Sequence, residues 1–246
     1  MKKIKLASVL FAALLCVPVL QSCDDDDDFY YDSSYYPSAL VTAKTAGDST
    51  FYLQLDDNTT LLPTNLKTSP FGGKEVRALV SYTASNDLVH PYDQAVHVNW
   101  IDSILTKNTV PSLGDDNDEK YGDDRLEVVR DWVTIAEDGY LTLRFRTVWG
   151  GGTHYINLVR NMNTENPYEL ELRHDANGDL YGYWGDALVA FNLKDLPDTE
   201  GKTVKLTVRW KSYSGEKTAE FDYCTRTQTE VGNLLHGNTE FVTTVK

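Results

Sequence analysis

The chain has 246 residues and carries 23 basic against 37 acidic residues, a formal net charge of −14. We do not expect so acidic a chain, in which no region after residue 22 is basic, to bind nucleic acid or anionic lipid headgroups. Of its three cysteines, Cys16 lies in the apolar N-terminal run and Cys23 in a candidate lipid-anchor motif, both described below. Cys224 alone is too few for a disulfide framework or a cysteine-based zinc site.

The first 22 residues have the features of a secretory signal. Three lysines among the first five residues precede an uncharged, largely apolar run from residue 6 to residue 20. That run is shorter than the roughly 20 apolar residues of a membrane-spanning helix. Leu20-Gln21-Ser22-Cys23 follows and resembles the lipobox of bacterial lipoproteins. We therefore predict a lipoprotein signal peptide over residues 1–22, with Cys23 as the lipid anchor; the alternative is an ordinary cleaved signal followed by a stray cysteine.

Five consecutive aspartates, Asp24, Asp25, Asp26, Asp27 and Asp28, come directly after the predicted anchor. Adjacent carboxylates repel one another and cannot pack, so we predict that residues 23–37 form a solvated acidic tether. The run resembles the acidic export tag that sends some lipoproteins to the outer cell surface. We predict an outer-membrane protein that is held by its N-terminal lipid and faces the extracellular side. A simple spacer on a periplasm-facing lipoprotein is the alternative.

Short strands separated by turn-forming residues predict an all-β chain. In residues 38–112, alternating segments begin near Ala39, Ser49, Thr60, Glu75 and Tyr92. Four or five strands in about 75 residues suit a small barrel, and a Greek-key barrel of the oligonucleotide/oligosaccharide-binding (OB) type is one solution of that size.

Residues 113–126 are polar and rich in turn formers, which predicts a linker or a long surface loop. In residues 127–246 strands resume. Leu141, Leu143 and Phe145 alternate with polar residues, as expected for a strand with one buried face. About seven such strands in roughly 120 residues predict a β-sandwich.

The whole chain resembles the NigD-like lipoproteins. The resemblance rests on the lipobox with its acidic run and on the order and spacing of segments, which are Phe51–Asp57 with Thr60–Leu62, Val98–Lys107, Trp132 with Gly139–Leu141, Thr153–Val159, and Leu170–Asp175 with Gly178-Asp179. It implies an N-terminal OB-like barrel followed by a C-terminal β-sandwich. It also implies a part in immunity, because the founding member is described as a bacteriocin-operon immunity protein. It supplies no catalytic residues.

Two segments place aromatic residues among glycines and are candidate binding sites. Tyr181-Gly-Tyr183-Trp184-Gly and Trp149-Gly-Gly-Gly predict exposed rings on flexible loops, and such rings stack on flat ligand faces. We predict a non-catalytic protein that acts by recognition of an unknown protein or glycan partner, with immunity-like protection of the envelope as its role. An accessory glycan-binding lipoprotein is the alternative. The simplest interpretation is that the rings pack at the edge of the sandwich core and bind nothing.

The sequence contains no pattern that indicates an enzyme, and we predict no cofactor and no metal. None of the five histidines lies in a serine-hydrolase or zinc-protease motif. His154 and His174 could meet across neighbouring strands as a metal half-site or a proton-shuttling pair, although a hydrogen bond that caps each strand is the simpler interpretation. The oxygen-rich segments Asp115–Glu119 and Asp175–Asp179 lack EF-hand spacing and are predicted to be turns and loops.

Overall fold

A computed structural model describes residues 36–160 and 165–226, and nearly all of their regular structure is β-strand, which confirms the all-β prediction. Cys23 and Asp24–Asp28 lie outside the described residues. No helix in the described part of the chain is long and apolar enough to cross a membrane. The strands are β1 (Ala39–Thr45), β2 (Phe51–Gln54), β3 (Thr60–Pro63), β4 (Val76–Ser85), β5 (Gln94–Ser103), β6 (Leu105–Asn108), β7 (Val110–Pro111), β8 (Glu127–Val129), β9 (Ile135–Glu137), β10 (Tyr140–Trp149), β11 (Tyr155–Arg160), β12 (Glu169–Asp175), β13 (Tyr183–Asn192), β14 (Val204–Ser212) and β15 (Gly215–Tyr223).

The first five strands form sheet A, which closes into a barrel in the order β1-β2-β3-β5-β4. All pairs are antiparallel except β3 with β5, which run parallel. Alternate residues of each strand point into the barrel because successive side chains of a strand face opposite sides. Val41, Phe51, Leu53, Leu61 and Val80 are among the buried residues of its core. The predicted OB-like barrel is confirmed.

The remaining strands form the predicted sandwich of two sheets. Sheet B has the order β6-β13-β10-β8, with β9 also paired to β10, and sheet C has the order β15-β14-β12-β11-β7. The core between the two sheets includes Leu143, Phe145 and Val189 from sheet B, and Leu158 and Val208 from sheet C. The alternation that the sequence shows along these strands therefore records which face each sheet buries.

The segment from residue 105 to residue 111, which the sequence prediction assigned to the barrel, pairs with the sandwich. Strand β6 runs parallel to β13, and β7 runs parallel to β11, so one short segment borders both sheets. Residues 113–126 contain a 3₁₀ helix, Gly114–Asp116, and a single-turn helix α1, Asn117–Tyr121. The Asn117 side chain accepts a hydrogen bond from the Leu113 amide at 2.8 Å and is buried, so this segment packs onto the sandwich.

The barrel packs on the outer face of sheet B. A small apolar cluster joins Leu40 and Ile104 of the barrel to Tyr140, Val133 and Ala190 of the sandwich. The sandwich also covers the face of β4 that carries Arg77, which explains why this arginine has no exposed surface.

Arg77 lies at the centre of a polar network across this junction. Its guanidinium group donates to Thr42 Oγ1 at 2.9 Å, to Thr142 Oγ1 at 3.3 Å, and to the Glu137 carboxylate. Burial raises the pKa of Glu137, against the effect of the Arg77 charge. Because polar groups buried without partners are costly, these bonds fix how the two domains meet.

A second ion pair crosses the same junction. The Lys44 ammonium group donates to Asp138 Oδ1 at 2.7 Å, and both side chains are buried. Burial lowers the pKa of Lys44, and it raises the pKa of the adjacent Tyr52 to about 12. The two buried pairs together bring the barrel and the sandwich into one compact body.

Candidate functional site

Seven exposed large apolar side chains lie at one end of the sandwich, which we call the aromatic end. They stand at the last residue of β10, at the first residues of β11 and β13, in the loop that precedes β13, and in the β14–β15 turn. Tyr181 and Tyr183 have 85% and 88% of their surface exposed. The members are Trp149, Tyr155, Leu180, Tyr181, Tyr183, Trp184 and Tyr213.

The structure brings together all four aromatic residues that the sequence nominated, Trp149, Tyr181, Tyr183 and Trp184. Trp149 and Tyr183 are paired across β10 and β13. Both therefore stand at strand ends, whereas the sequence predicted that they lie on flexible loops. The Trp184 ring meets Tyr213 edge-on at a centroid separation of 4.8 Å, a favourable aromatic geometry. The Tyr213 hydroxyl is held in turn by the Val148 amide, which donates to it at 3.2 Å.

The Asp179 carboxylate connects the two loops of the aromatic end. It accepts hydrogen bonds from the Gly150 amide at 2.9 Å and from the Gly152 amide at 2.7 Å. The Trp149 indole N–H donates to the Gly152 carbonyl at 2.7 Å and closes the same loop. A Cβ atom at Gly150 would lie 2.4 Å from the Tyr181 carbonyl oxygen, so glycine is required for this close approach. The hydrogen bonds from the Gly152 and Gly150 amides lower the pKa of the Asp179 carboxyl group.

The two histidines meet behind this carboxylate, as one of the sequence hypotheses held. His154 Nδ1 and His174 Nε2 are 2.9 Å apart, and His174 Nδ1 is 3.1 Å from the Arg125 carbonyl oxygen. A carbonyl only accepts, so His174 Nδ1 carries the proton and His174 Nε2 accepts from His154. Burial and the nearby His154 lower the pKa of His174, which favours this neutral form.

His154 also approaches the carboxylate that holds the loops. Its Nε2 lies 3.4 Å from Asp179 Oδ2, so Asp179, His154, His174 and the Arg125 carbonyl form one continuous chain of polar contacts. Both histidines are thereby engaged by protein groups. In the described residues no group of three or more His, Cys, Asp or Glu side chains is arranged to hold a metal ion.

Replacement of Asp179 by alanine should release the Trp149 loop. The Gly150 and Gly152 amides then lose their acceptor, and we expect their hydrogen exchange to quicken by about tenfold or more. Amide exchange followed by NMR measures this. Asp198→Ala is the matched control, because the Asp198 carboxylate likewise accepts from a backbone amide, that of Glu200 two residues on, and this bond lies within its own turn. Unchanged exchange at both glycines in Asp179→Ala would contradict the role given to this carboxylate.

Asn177-Gly178 forms a tight turn, as predicted for Asp175–Asp179, but this turn does not close a hairpin. Both residues have positive φ, 50° and 80°, and the Asp179 amide donates to the Ala176 carbonyl at 2.9 Å. The strands on either side belong to different sheets, so the turn carries the chain from sheet C to sheet B. Asp179 follows the turn directly, which places its carboxylate beneath the glycine loop.

Sequence reasoning missed three members of the aromatic end and the acceptor that holds it. Tyr155 begins an apolar strand segment in the sequence, Tyr213 lies among polar residues, and Leu180 follows a turn. Asp179 was considered only as an oxygen ligand in a turn. The Gly-rich spacing around Trp149 was the available signal, because three consecutive glycines permit an approach that a side chain would block.

Two family models cover the described body of the chain. The NigD-like N-terminal OB domain matches residues 40–104, and the NigD-like C-terminal β-sandwich domain matches residues 108–223. The chain belongs to the NigD-like family. The match to the second domain begins close to β6 and β7, the strands that border both sheets of this NigD-like chain.

Solved structures with the same fold come from Parabacteroides and Bacteroides species. A protein of Parabacteroides distasonis described as toxin-related is 34% identical, with 80% of this chain and 96% of that chain covered and a TM-score of 0.65. A protein of unknown function from Bacteroides vulgatus is 23% identical, with coverages of 75% and 89% and a TM-score of 0.62. A NigD-like immunity protein from Bacteroides caccae is 21% identical, with coverages of 76% and 96% and a TM-score of 0.55. No curated protein matches the chain.

Proposed function

We propose that this NigD-like chain is a non-catalytic, lipid-anchored recognition protein that gives immunity-like protection to the cell envelope. Cys23 would hold it at the outer membrane, the acidic tether would carry it to the outer surface, and the aromatic end would contact a protein toxin or the envelope target of that toxin. The aromatic end is the single observation that carries the proposal.

The aromatic end has the properties of a contact surface. Large exposed apolar patches on soluble domains mark interaction sites, and Trp and Tyr supply much of the binding energy where they occur. The rings are also held in place before any partner arrives, since Tyr213 supports Trp184 and Asp179 fixes the Trp149 loop. A surface ordered in advance loses less conformational entropy on binding.

A further observation supports a protective role. The names of two relatives in Parabacteroides distasonis and Bacteroides caccae refer to toxins and to immunity.

The test is the toxin sensitivity of a deletion strain complemented with variants of the chain. We expect the wild type to restore survival against toxins from neighbouring strains. The double variant Tyr181→Ser/Tyr183→Ser should weaken protection about tenfold or more in toxin dose, because hot-spot aromatic residues each contribute about 2 kcal/mol or more. Leu88→Ser, at a fully exposed leucine of the barrel, is the matched control. If deletion leaves sensitivity unchanged, the immunity role is wrong.

A glycan-binding accessory role is the second candidate. The specific observation that favours it is the exposure of Tyr181 and Tyr183, each of which has more than four-fifths of its surface accessible to solvent. Rings presented in this way stack on the flat apolar faces of sugars. Calorimetry against a panel of host and dietary polysaccharides separates the two candidates, because only the glycan-binding role predicts heat of binding there.

A further inference from the structure

The outer face of sheet B continues beyond the barrel as an exposed strip between two tryptophans. Leu143, Phe145 and Val189 face the core, so the residues between them on β10 and β13 face outward. The outward rows run from Arg144 paired with Leu188, through Arg146 paired with Asp186, to Val148 paired with Trp184. Trp132 flanks the first of these rows. We call this surface the sheet B strip.

Each end of the strip carries a half-exposed indole. Trp132 is 54% exposed and lines a cleft of about 220 Å³ with Leu79 and Leu188. Trp184 is 57% exposed, and Tyr213 packs edge-on against its ring. The rows of Leu188 and Trp184 are four residues apart on one strand, which corresponds to about 13 Å. The strip is therefore too long for a single sugar ring and is the size of an oligosaccharide.

A preorganised polar network fills the middle of the strip. Arg144 donates to Asp131 Oδ2 at 2.8 Å and to Asp186 Oδ2 at 2.9 Å, and Arg146 donates to Asp186 Oδ2 at 3.0 Å. Hydrogen bonds from Arg146 and Arg144 lower the pKa of Asp186 to about 2, so its carboxylate stays ionised. The network has two positive and two negative groups and hence no net charge.

The network keeps hydrogen-bonding capacity for a ligand. A guanidinium group has five N–H donors, and within the described residues these bonds use three from Arg144 and two from Arg146. Both arginine side chains are more than one-third exposed. Fixed donors and acceptors of this kind bind hydroxyl groups, and the absence of net charge favours a neutral ligand over an anionic one.

We propose that the sheet B strip binds a neutral oligosaccharide lengthwise. Trp132 and Trp184 stack on sugar rings at the two ends, and the Arg144–Asp186–Arg146 network binds hydroxyl groups between them. The proposal rests on the glycan-binding candidate for the class of its ligand, but it places that ligand on the face of sheet B and not on the Tyr181 and Tyr183 rings. Trp184 belongs to both the strip and the aromatic end, so the two surfaces adjoin at this residue.

Affinity electrophoresis of the full chain through gels that contain soluble polysaccharides tests this site. The panel has neutral members (mannan, xylan, β-glucan and arabinogalactan) and anionic members (polygalacturonate and heparin). We expect a neutral polysaccharide to retard the wild type. Trp132→Ala and Trp184→Ala should each weaken that retardation about fivefold, since the loss of one aromatic stack costs on the order of 1 kcal/mol.

Three variants separate this site from the alternatives. Tyr181→Ser/Tyr183→Ser should retain binding; if it loses binding while Trp132→Ala does not, the strip is wrong although the glycan-binding role stands. Leu88→Ala controls for general surface changes. Retardation by the anionic members alone overturns the proposal. If no member retards the wild type, both the strip and the glycan-binding candidate fail, while the toxin assay still decides the immunity role.

Discussion

Arg77→Ala should lower the free energy of unfolding by about 3–5 kcal/mol, the cost of removing one partner of a buried ion pair. The arginine has no exposed surface and donates to Thr42, Thr142 and Glu137 across the barrel–sandwich junction. Without it, Glu137 stays buried and loses its cation. Burial already raises the pKa of this carboxyl group, and the loss of the Arg77 charge would raise it further. Urea denaturation followed by tryptophan fluorescence measures the change.

Two comparisons isolate the effect of burial in this prediction. Arg146→Ala removes an arginine of the surface network on sheet B and should cost about 1 kcal/mol or less, because exposed ion pairs contribute little. Arg77→Met combined with Glu137→Gln removes both charges and should recover part of the lost stability. A cost below about 1 kcal/mol for Arg77→Ala would show that the network does not hold the two domains together.

The barrel and the sandwich were predictable because apolar and polar residues alternate within each strand, and this alternation shows which face of the strand is buried. Along β10, Leu141, Leu143 and Phe145 alternate with residues that face away from the core, and the sheet packs the apolar face inward. The same reasoning could not foresee the environment of Arg77. Alternation places it on the outer face of a barrel strand, and only the later strands that cover this face make it buried.

Pairing between distant short segments was beyond the reach of local patterns. Strand β6 joins β13 across about 80 residues, and no alternation in four residues specifies that partner. Between β8 and β9 the chain turns, because Thr134 donates to the Val129 carbonyl at 2.6 Å and Asp131 accepts from the Val133 amide at 3.2 Å. These bonds close a turn in a stretch whose composition favours strand.

The candidate site was half predictable for the same reason. Four aromatic residues of the aromatic end lie in two glycine-rich segments, whose composition signalled exposed rings. Tyr213 joins them only because the β14–β15 turn reaches Trp184. The order of the loops also depends on a contact between positions about 30 residues apart, Asp179 with Gly150 and Gly152, which predictions of a flexible loop do not include.

Cys23→Ala should abolish acylation of the chain and thereby its stable attachment to the outer membrane. Each buried methylene group of an acyl chain contributes about 0.8 kcal/mol to membrane binding, and two or more chains together give stable anchoring. With no acyl chain, residues 23–246, which carry 20 basic against 37 acidic residues, are not expected to be attracted to anionic lipids. We expect labelling by an alkyne-tagged fatty acid to fall to background, at least about tenfold below wild type.

Cys224→Ser is the matched control, because Cys224 is the other cysteine of the mature chain and should leave labelling unchanged. Persistent labelling of Cys23→Ala would mean that the lipobox assignment is wrong. Protease treatment of intact cells then reports orientation. The wild type should be digested, and a chain with Asp24–Asp28 replaced by alanine should be protected, if the aspartate run directs export. Digestion of the wild type only after the outer membrane is opened would place the aromatic end in the periplasm, where a toxin target remains accessible and an extracellular glycan does not.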